Sequence, residues 1–337
     1  MLEVPFFLII VIFVALIFDF TNGAHDTANA IATVVSTRVL SPAAAVIMAA
    51  VLNLVGALIG THVAQTIGAG IVHPEMIKGC QALTLAALFG AIAWNLLTWY
   101  LGLPSSSSHA LIGGLVGATM VYAGTKAVNF YSICDKVLLP LALSPLAGFV
   151  AGYLIMLCLS WIFHNSHPRK VNKGFRKLQM VSAALMATSH GTNDAQKTMG
   201  LITLALFIDH MITTVSVPFW VQLACAFAMA MGTAIGGWRI IKTMGHKIFS
   251  LEAVHGFSAE TSASGVIFAA SFFGAPISTT HVISASILGV GSSKRLSAVR
   301  WGVAGQMATA WILTIPASAL MAAIFFEFMR MFGIMGR

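Results

Sequence analysis

The chain has 337 residues, 58% hydrophobic and only 8% charged, with a mean hydropathy of +0.91. Soluble domains carry roughly 25% charged residues, so a water-covered globular surface is excluded. The excess of 18 basic over 10 acidic residues belongs, in such a chain, to loops beside a bilayer rather than to a nucleic-acid surface. The apolar runs are long and continuous, without the alternation of an outer-membrane barrel. They predict an all-α polytopic membrane protein. At about 20 residues per span, the length allows roughly ten to twelve transmembrane helices.

In chain order, Met1-Leu2-Glu3 lacks the positive n-region of a signal peptide, and the apolar run from Val4 to Phe18 is expected as a retained span ending at Asp19. Asp19 reads equally as a helix cap or as a site residue. A polar motif follows, Asn22-Gly23-Ala24-His25-Asp26-Thr27. After the apolar stretch from Cys80 to Leu101 comes Gly102-Leu103-Pro104-Ser105-Ser106-Ser107-Ser108-His109. The stretch from His164 to Lys177 holds Arg169, Lys170, Lys173, Arg176 and Lys177 with no acid, and the positive-inside rule makes it a cytoplasmic loop.

Beyond that loop both motifs return. His190-Gly191-Thr192-Asn193-Asp194-Ala195 matches the first, and Gly274-Ala275-Pro276-Ile277-Ser278-Thr279-Thr280-His281 matches the second, after an apolar stretch from Val254 to Phe273. The aspartate precedes the proline by 78 residues in one half and 82 in the other. Two repeats are therefore predicted, over 1–163 and 179–337, joined by a short basic loop over 164–178. After the second motif the later half carries Lys294, Arg295 and Arg300, whereas 121–131 in the first half carries Lys126 alone. Unequal basic content in equivalent loops places them on opposite sides, as in an inverted-topology repeat. Arg239, Lys242 and Lys247 mark another cytoplasmic loop. The four cysteines have no close pair, so neither a disulfide framework nor a zinc site is implied.

The aspartates carry the first piece of chemistry. An unpaired carboxylate within a span costs at least a few kcal/mol, and Asp26 and Asp194 recur in equivalent places. The Gly, Asn and Thr around them predict broken helices lining a cavity. Carboxylate, amide and carbonyl oxygens, with Asn22 and Asn29 beside the first aspartate, suit a hard cation such as Na⁺. A capping aspartate near the interface is the plainer alternative, and duplication argues against it.

The hydroxyl clusters carry the second. Pro104 and Pro276 precede Ser105, Ser106, Ser107 and Ser108 in one half and Ser278, Thr279 and Thr280 in the other. Proline followed by Ser/Thr reads as a helix start, here of a re-entrant or half helix. Its free N–H groups, hydroxyls and positive dipole end form an anion cradle. Two opposed copies suit one small tetrahedral oxyanion, with Thr27, Asn193 and Lys197 as further ligands. Lys197 shares a helix face with Asp194, so it neutralises the anion or pairs with that carboxylate; Asn29 takes its place in the first half. His25 and His190 beside the aspartates, and His109 and His281 closing the hydroxyl clusters, are supporting candidates. Glu260, in an apolar run, is a further cation site by burial. An intramembrane hydrolase built on the His25-Asp26 pair or a serine is disfavoured: the pair lacks further metal ligands, and duplication adds nothing to a serine nucleophile. No enzyme is expected.

At these residues the chain resembles the inorganic phosphate transporter (PiT) family. The resemblance rests on Gly23-Ala24-His25-Asp26-Thr27-Ala28-Asn29-Ala30, on His190 through Lys197, on Leu103 through His109, and on Pro276 through His281, and it runs over almost the whole chain. It implies an inverted repeat, a homodimer in the plasma membrane, and symport of inorganic phosphate with Na⁺ or H⁺. The family's aspartates fall on Asp26 and Asp194 and its second-half acid on Glu260. Two departures bear on coupling. His25 stands where the family usually has Asn, and Gln196-Lys197 is similar to some proton-coupled bacterial members. Two aspartates and a phosphate dianion sum to −4. Half a charge from each helix start and one from Lys197 leave about two cations to bind. Na⁺ is the expected coupling ion, by alternating access, with no other cofactor; H⁺ coupling and a sulfate or other oxyanion permease are the alternatives.

Overall fold

The computed structural model describes residues 5–77 and 80–334, and its architecture is helical throughout. Among the described residues the one extended pairing is an isolated bridge between Val72 and Val128. Residues 1–4, with the Met1–Glu3 stretch, lie outside the described residues.

The first half folds as α1 (Phe6–Ser36), α2 (Pro42–Ala57), α3 (His62–Gly70), α4 (Gln81–Leu101), α5 (Ser107–Ala123) and α6 (Phe130–Ile162). The second half runs α7 (Pro168–Ile208), α8 (Phe219–Ile235), α9 (Trp238–Lys247), α10 (Ala253–Phe272), α11 (Thr279–Lys294) and α12 (Trp301–Met331). The succession of long, medium, short, long, medium and long helices is the same in both. The halves also break at the same places. Gly102 and Gly274 end α4 and α10 with φ of +68° and +69°, a left-handed turn that glycine adopts without a Cβ clash. Each turn reverses the chain into a shorter helix.

Among the described residues, four helices are long and apolar enough to cross a membrane: α1, α4, α6 and α12. The α8–α9 pair, bent by 60°, adds a fifth. The helices α2, α3, α5 and α11 are too short to span alone, whereas α7 and α10 are long enough and carry polar side chains into the bundle.

Helix α1 and its equivalent α7 pack antiparallel. Midway along α1, Asp19 Oδ1 accepts from Thr198 Oγ1 at 3.0 Å; just past its end, Thr37 Oγ1 donates to Gln179 Oε1 at 2.8 Å. Four glycines make the neighbouring crossings tight. A Cβ on Gly23 would collide with Met229 O and one on Gly232 with Phe20 O, seaming α1 to α8. In the second half a Cβ on Gly191 would collide with Asn53 O and one on Gly56 with Thr188 O, seaming α7 to α2. The closing helices exchange partners as well: α12 packs on α5, and α6 on α11.

Two expectations are corrected. The aspartate motifs do not break their helices, since α1 and α7 run unbroken through Asp26 and Asp194. Their glycines serve close helix approach, and Thr27 returns its hydroxyl to Gly23 O at 2.6 Å within the helix. The basic stretch is a loop only up to His167. From Pro168, with His167 accepting from Arg169 N–H, it forms the first turns of α7, because proline is preorganised for a first helical turn.

Equivalent loops sit at opposite ends of α7. Asn172, near its start, accepts from Ala253 N–H and lines one cavity with Ser293 and Lys294. Near its other end Ala205 O accepts from Gln81, and the adjoining Ile71 O accepts from Asn129 N–H, beside Lys126.

Candidate anion and cation site

The short helices bring the hydroxyl clusters into the centre. Ser106 and Ser278 are the N-caps of α5 and α11; each side chain accepts from the backbone N–H three residues on, His109 and His281, at 3.2 Å. The prolines lie two residues before these caps rather than in the first turn, so capping is by serine. Ser107 and Ser108, and Thr279 and Thr280, open the two helices and are fully buried.

Each turn meets the aspartate of its own half. Ser107 Oγ donates to Asp26 Oδ2 at 2.8 Å or to Asn22 Oδ1 at 2.5 Å, and Thr279 Oγ1 donates to Asp194 Oδ2 at 2.7 Å. The second hydroxyl in each turn crosses to the other half. Thr280 donates to Asp26 Oδ1 at 3.3 Å and accepts from Asn29 Nδ2 at 2.9 Å. Ser108 accepts from Lys197 Nζ, which also bonds Asp194 Oδ1 and, at 2.8 Å, Ile277 O. Lys197 and Asn29 therefore do the same job in opposite halves, one with a charge and one without.

Histidines complete both carboxylates. His25 Nδ1 lies 2.7 Å from Asp26 Oδ1, and His190 Nε2 lies 2.9 Å from Asp194 Oδ2. His190 reaches its aspartate from one turn earlier, with Nδ1 3.1 Å from Asn53 Oδ1. Ligand atoms of Asp26, Asp194 and His190 fall within 4.8 Å of one another, close enough to share an ion. Of the four buried amide oxygens without a hydrogen-bond partner among the described residues, two, Asn29 Oδ1 and Asn193 Oδ1, belong to the aspartate motifs. Buried acceptors without donors are rare and fit a hard cation.

Other candidates lie apart. Thr27 directs its hydroxyl to Gly23 O and Thr233 O, away from the aspartates. Ser105 donates to Thr98 at 2.8 Å, and the Asn193 amide nitrogen, expected on the anion, is spent on Ser271 at 3.0 Å, which leaves only its oxygen for a ligand. The His109 and His281 rings face one another at 5.1 Å, and His281 stacks at 4.1 Å on Trp311, whose Nε1 donates to Pro104 O. These two histidines fasten the half-helix starts together.

Glu260 heads a separate cluster. Its carboxylate accepts from Thr33 at 2.5 Å, from Gln179 at 3.0 Å and from Ser182. Thr33 lies seven residues beyond Asp26, about 10 Å along α1. Sequence reasoning missed Thr33, Gln179, Ser182, Asn53, Thr98 and Trp311. For Asn53 a signal existed, a lone amide in an otherwise apolar short helix; single hydroxyls on helices carry none.

Each short helix braces the hairpin tip of the other half. Thr66 on α3 donates to Gly274 O at 2.8 Å, and Thr243 on α9 donates to Gly102 O at 2.9 Å. Two half-helices meeting over paired carboxylates, inside a multi-pass membrane chain, form the architecture of a transporter. The sequence profile described as "Phosphate transporter family" matches residues 22–322, and the chain belongs to that family. Its members are carriers, not enzymes, and the chain is a multi-pass plasma-membrane protein.

The chain is 50% identical over 324 residues to a probable low-affinity inorganic phosphate transporter of Bacillus subtilis (strain 168), covering 96% of this chain and 97% of that one. A namesake from Mycobacterium tuberculosis (strain ATCC 25618 / H37Rv) is 44% identical over 330 residues, covering 97% and 79%. Among solved structures, "The sodium-dependent phosphate transporter" superposes with a TM-score of 0.89 at 26% identity, over 96% of this chain and 99% of that one.

Proposed function

We propose that the chain is a secondary active symporter that imports inorganic phosphate with Na⁺ by alternating access. The observation that carries this reading is the convergence of Asp26 and Asp194 on one buried centre between the starts of α5 and α11. Phosphate binds between Ser107, Ser108, Thr279 and Thr280, using the free N–H groups of both helix starts and the Lys197 ammonium. Ser105 and the caps Ser106 and Ser278 hold these turns in shape. Na⁺ binds at Asp26 and Asp194 with Asn22, Asn29 and Asn193 as oxygen donors. Glu260 is a further Na⁺ station two helical turns from Asp26. The sodium-dependent structural relative and the two orphaned amide oxygens support the choice of ion.

The antiparallel pairing of α1 with α7, and the placing of equivalent loops at opposite ends, support two inverted-topology repeats, 1–163 and 179–337, linked over 164–178 on the cytoplasmic side. A homodimer is the assembly expected of the family resemblance.

Proton coupling is the second reading, and one observation favours it. His190 lies between two acceptors, with Nδ1 3.1 Å from Asn53 Oδ1 and Nε2 2.9 Å from Asp194 Oδ2, so a proton-binding ring sits directly beside the second carboxylate. Radiolabelled phosphate uptake into proteoliposomes, with Na⁺ and pH gradients imposed separately, decides between them. Full uptake with choline replacing Na⁺ at fixed pH would defeat the sodium assignment and leave the same aspartates as proton carriers. Uptake abolished equally by excess sulfate would replace phosphate with oxyanions in general.

A further inference from the structure

Where the halves join, α6 and α7 leave a groove lined by none of the residues assigned to phosphate or Na⁺. Two cavities, of about 340 and 510 Å³, adjoin there and share Phe163, Ser166 and Val171 in their walls. The first runs under Met156 and Leu159 of α6 and reaches Lys294 at the end of α11. The second opens beside Lys170 on the first turn of α7. The floor is apolar and the rim is basic.

Neither rim lysine is held in an ion pair among the described residues. Glu252, which also lines the first cavity, is engaged at the start of α10, where it caps the helix reciprocally with His255. Arg169, Lys173, Arg176 and Lys177 add to the same positive field.

The apolar side of the groove continues onto the outer surface of α6. Leu154, Leu157 and Ile162 are exposed there, and Trp161 is 77% exposed at the end of the span, where tryptophan marks a membrane–water interface. A small soluble anion would satisfy the lysines and leave the apolar trough bare. A neutral lipid would fill the trough and leave the lysines unpaired. Basic pockets between membrane helices at a charged face bind anionic headgroups.

We propose that this groove is a binding site for an anionic phospholipid. Its headgroup phosphate lies over the Lys170–Lys294 rim, and an acyl chain lies against Met156, Leu159 and Phe163. The lipid touches α6 of one half and α7, α10 and α11 of the other, so its binding ties the two halves together at their only covalent link.

The test uses the full-length protein, purified in detergent and stripped of lipid. Phosphatidylglycerol is compared with phosphatidylcholine of the same acyl chains and with soluble glycerol phosphate, by native mass spectrometry and by thermal shift. Phosphatidylglycerol alone is expected to be retained and to raise Tm. The lipid-free Tm of the Lys170→Gln/Lys294→Gln variant should match the wild type, with phosphatidylglycerol affinity reduced about fivefold for each lysine removed. Lys170→Arg/Lys294→Arg should restore it. Equal binding of phosphatidylcholine, undiminished binding by the glutamine variant, or equal protection by glycerol phosphate would each overturn the proposal. Protection that follows dimer formation on raising protein concentration, without lipid, would also overturn it and assign the groove to a second copy.

Discussion

Asp26 and Asp194 occupy equivalent points on equivalent helices, yet their neighbours differ in charge. Asp194 is bracketed on α7 by His190 and the Lys197 ammonium. Asp26 has His25, and the residue matching Lys197 is the neutral Asn29, which reaches Thr280 in the way Lys197 reaches Ser108. Shape is shared between the half-sites and charge is not. The lysine gives the second carboxylate a fixed cationic partner, whereas the first has no lysine or arginine partner among the described residues. Under the proposed symport, more of the demand for a bound cation falls on the first half.

The largest consequence of that asymmetry is in stability. Asp194→Asn leaves Lys197 buried without its carboxylate and should cost about 3–5 kcal/mol, read as a lowered Tm in detergent. Asp26→Asn strands no lysine, so its Tm should stay much nearer the wild type while uptake falls to background. Equal thermal losses in the two variants would erase the distinction drawn here.

A sharper probe moves the charge. Asn29→Lys places a second ammonium beside Thr280 and Asp26, supplying internally what a coupling cation supplies. The steepness of uptake against Na⁺ concentration should fall by about one ion, by the same charge accounting that left about two cations to bind. An unchanged slope would show that Asp26 does not take the coupling cation.

Smaller effects test what the halves share. Ser107→Ala and Thr279→Ala each remove a hydrogen bond to a carboxylate, worth about 1.5–3 kcal/mol, and should weaken phosphate binding to a similar degree. A loss confined to one of them would argue against a two-sided cradle. Smallest are Ser106→Ala and Ser278→Ala, each expected to cost about 1 kcal/mol of helix-start stability, with phosphate affinity reduced less than in the hydroxyl variants. Isothermal titration with phosphate ranks all four.

The duplicated polar motifs were legible in the sequence because polar residues are costly inside a membrane and do not recur in order by accident. Ser107, Thr279, Asp26, Asp194 and Lys197 converge as that logic implies. Glycine misled, since Gly23 and Gly191 in polar surroundings read as breaks, whereas their missing side chains admit another helix. The actual breaks are at Gly102 and Gly274, where φ is positive. The shell around Glu260 was invisible for a different reason. Thr33, Gln179 and Ser182 come from two helices and form no pattern along the chain; only the antiparallel pairing of α1 and α7 assembles them.

The four-glycine seams have a mechanical consequence. Where backbone rests directly on backbone, no side chain can change rotamer to absorb sliding, so α1 with α8 and α7 with α2 behave as riveted joints. The hairpin tips are fastened differently: the Thr66 hydroxyl holds Gly274, and the Thr243 hydroxyl holds Gly102. A single such bond is worth about 1 kcal/mol, little more than thermal energy. The molecule is thus stiffest along these two seams, while the hairpin tips are held by discrete polar bonds, and exchanging those bonds leaves α1 riveted to α8 and α7 to α2.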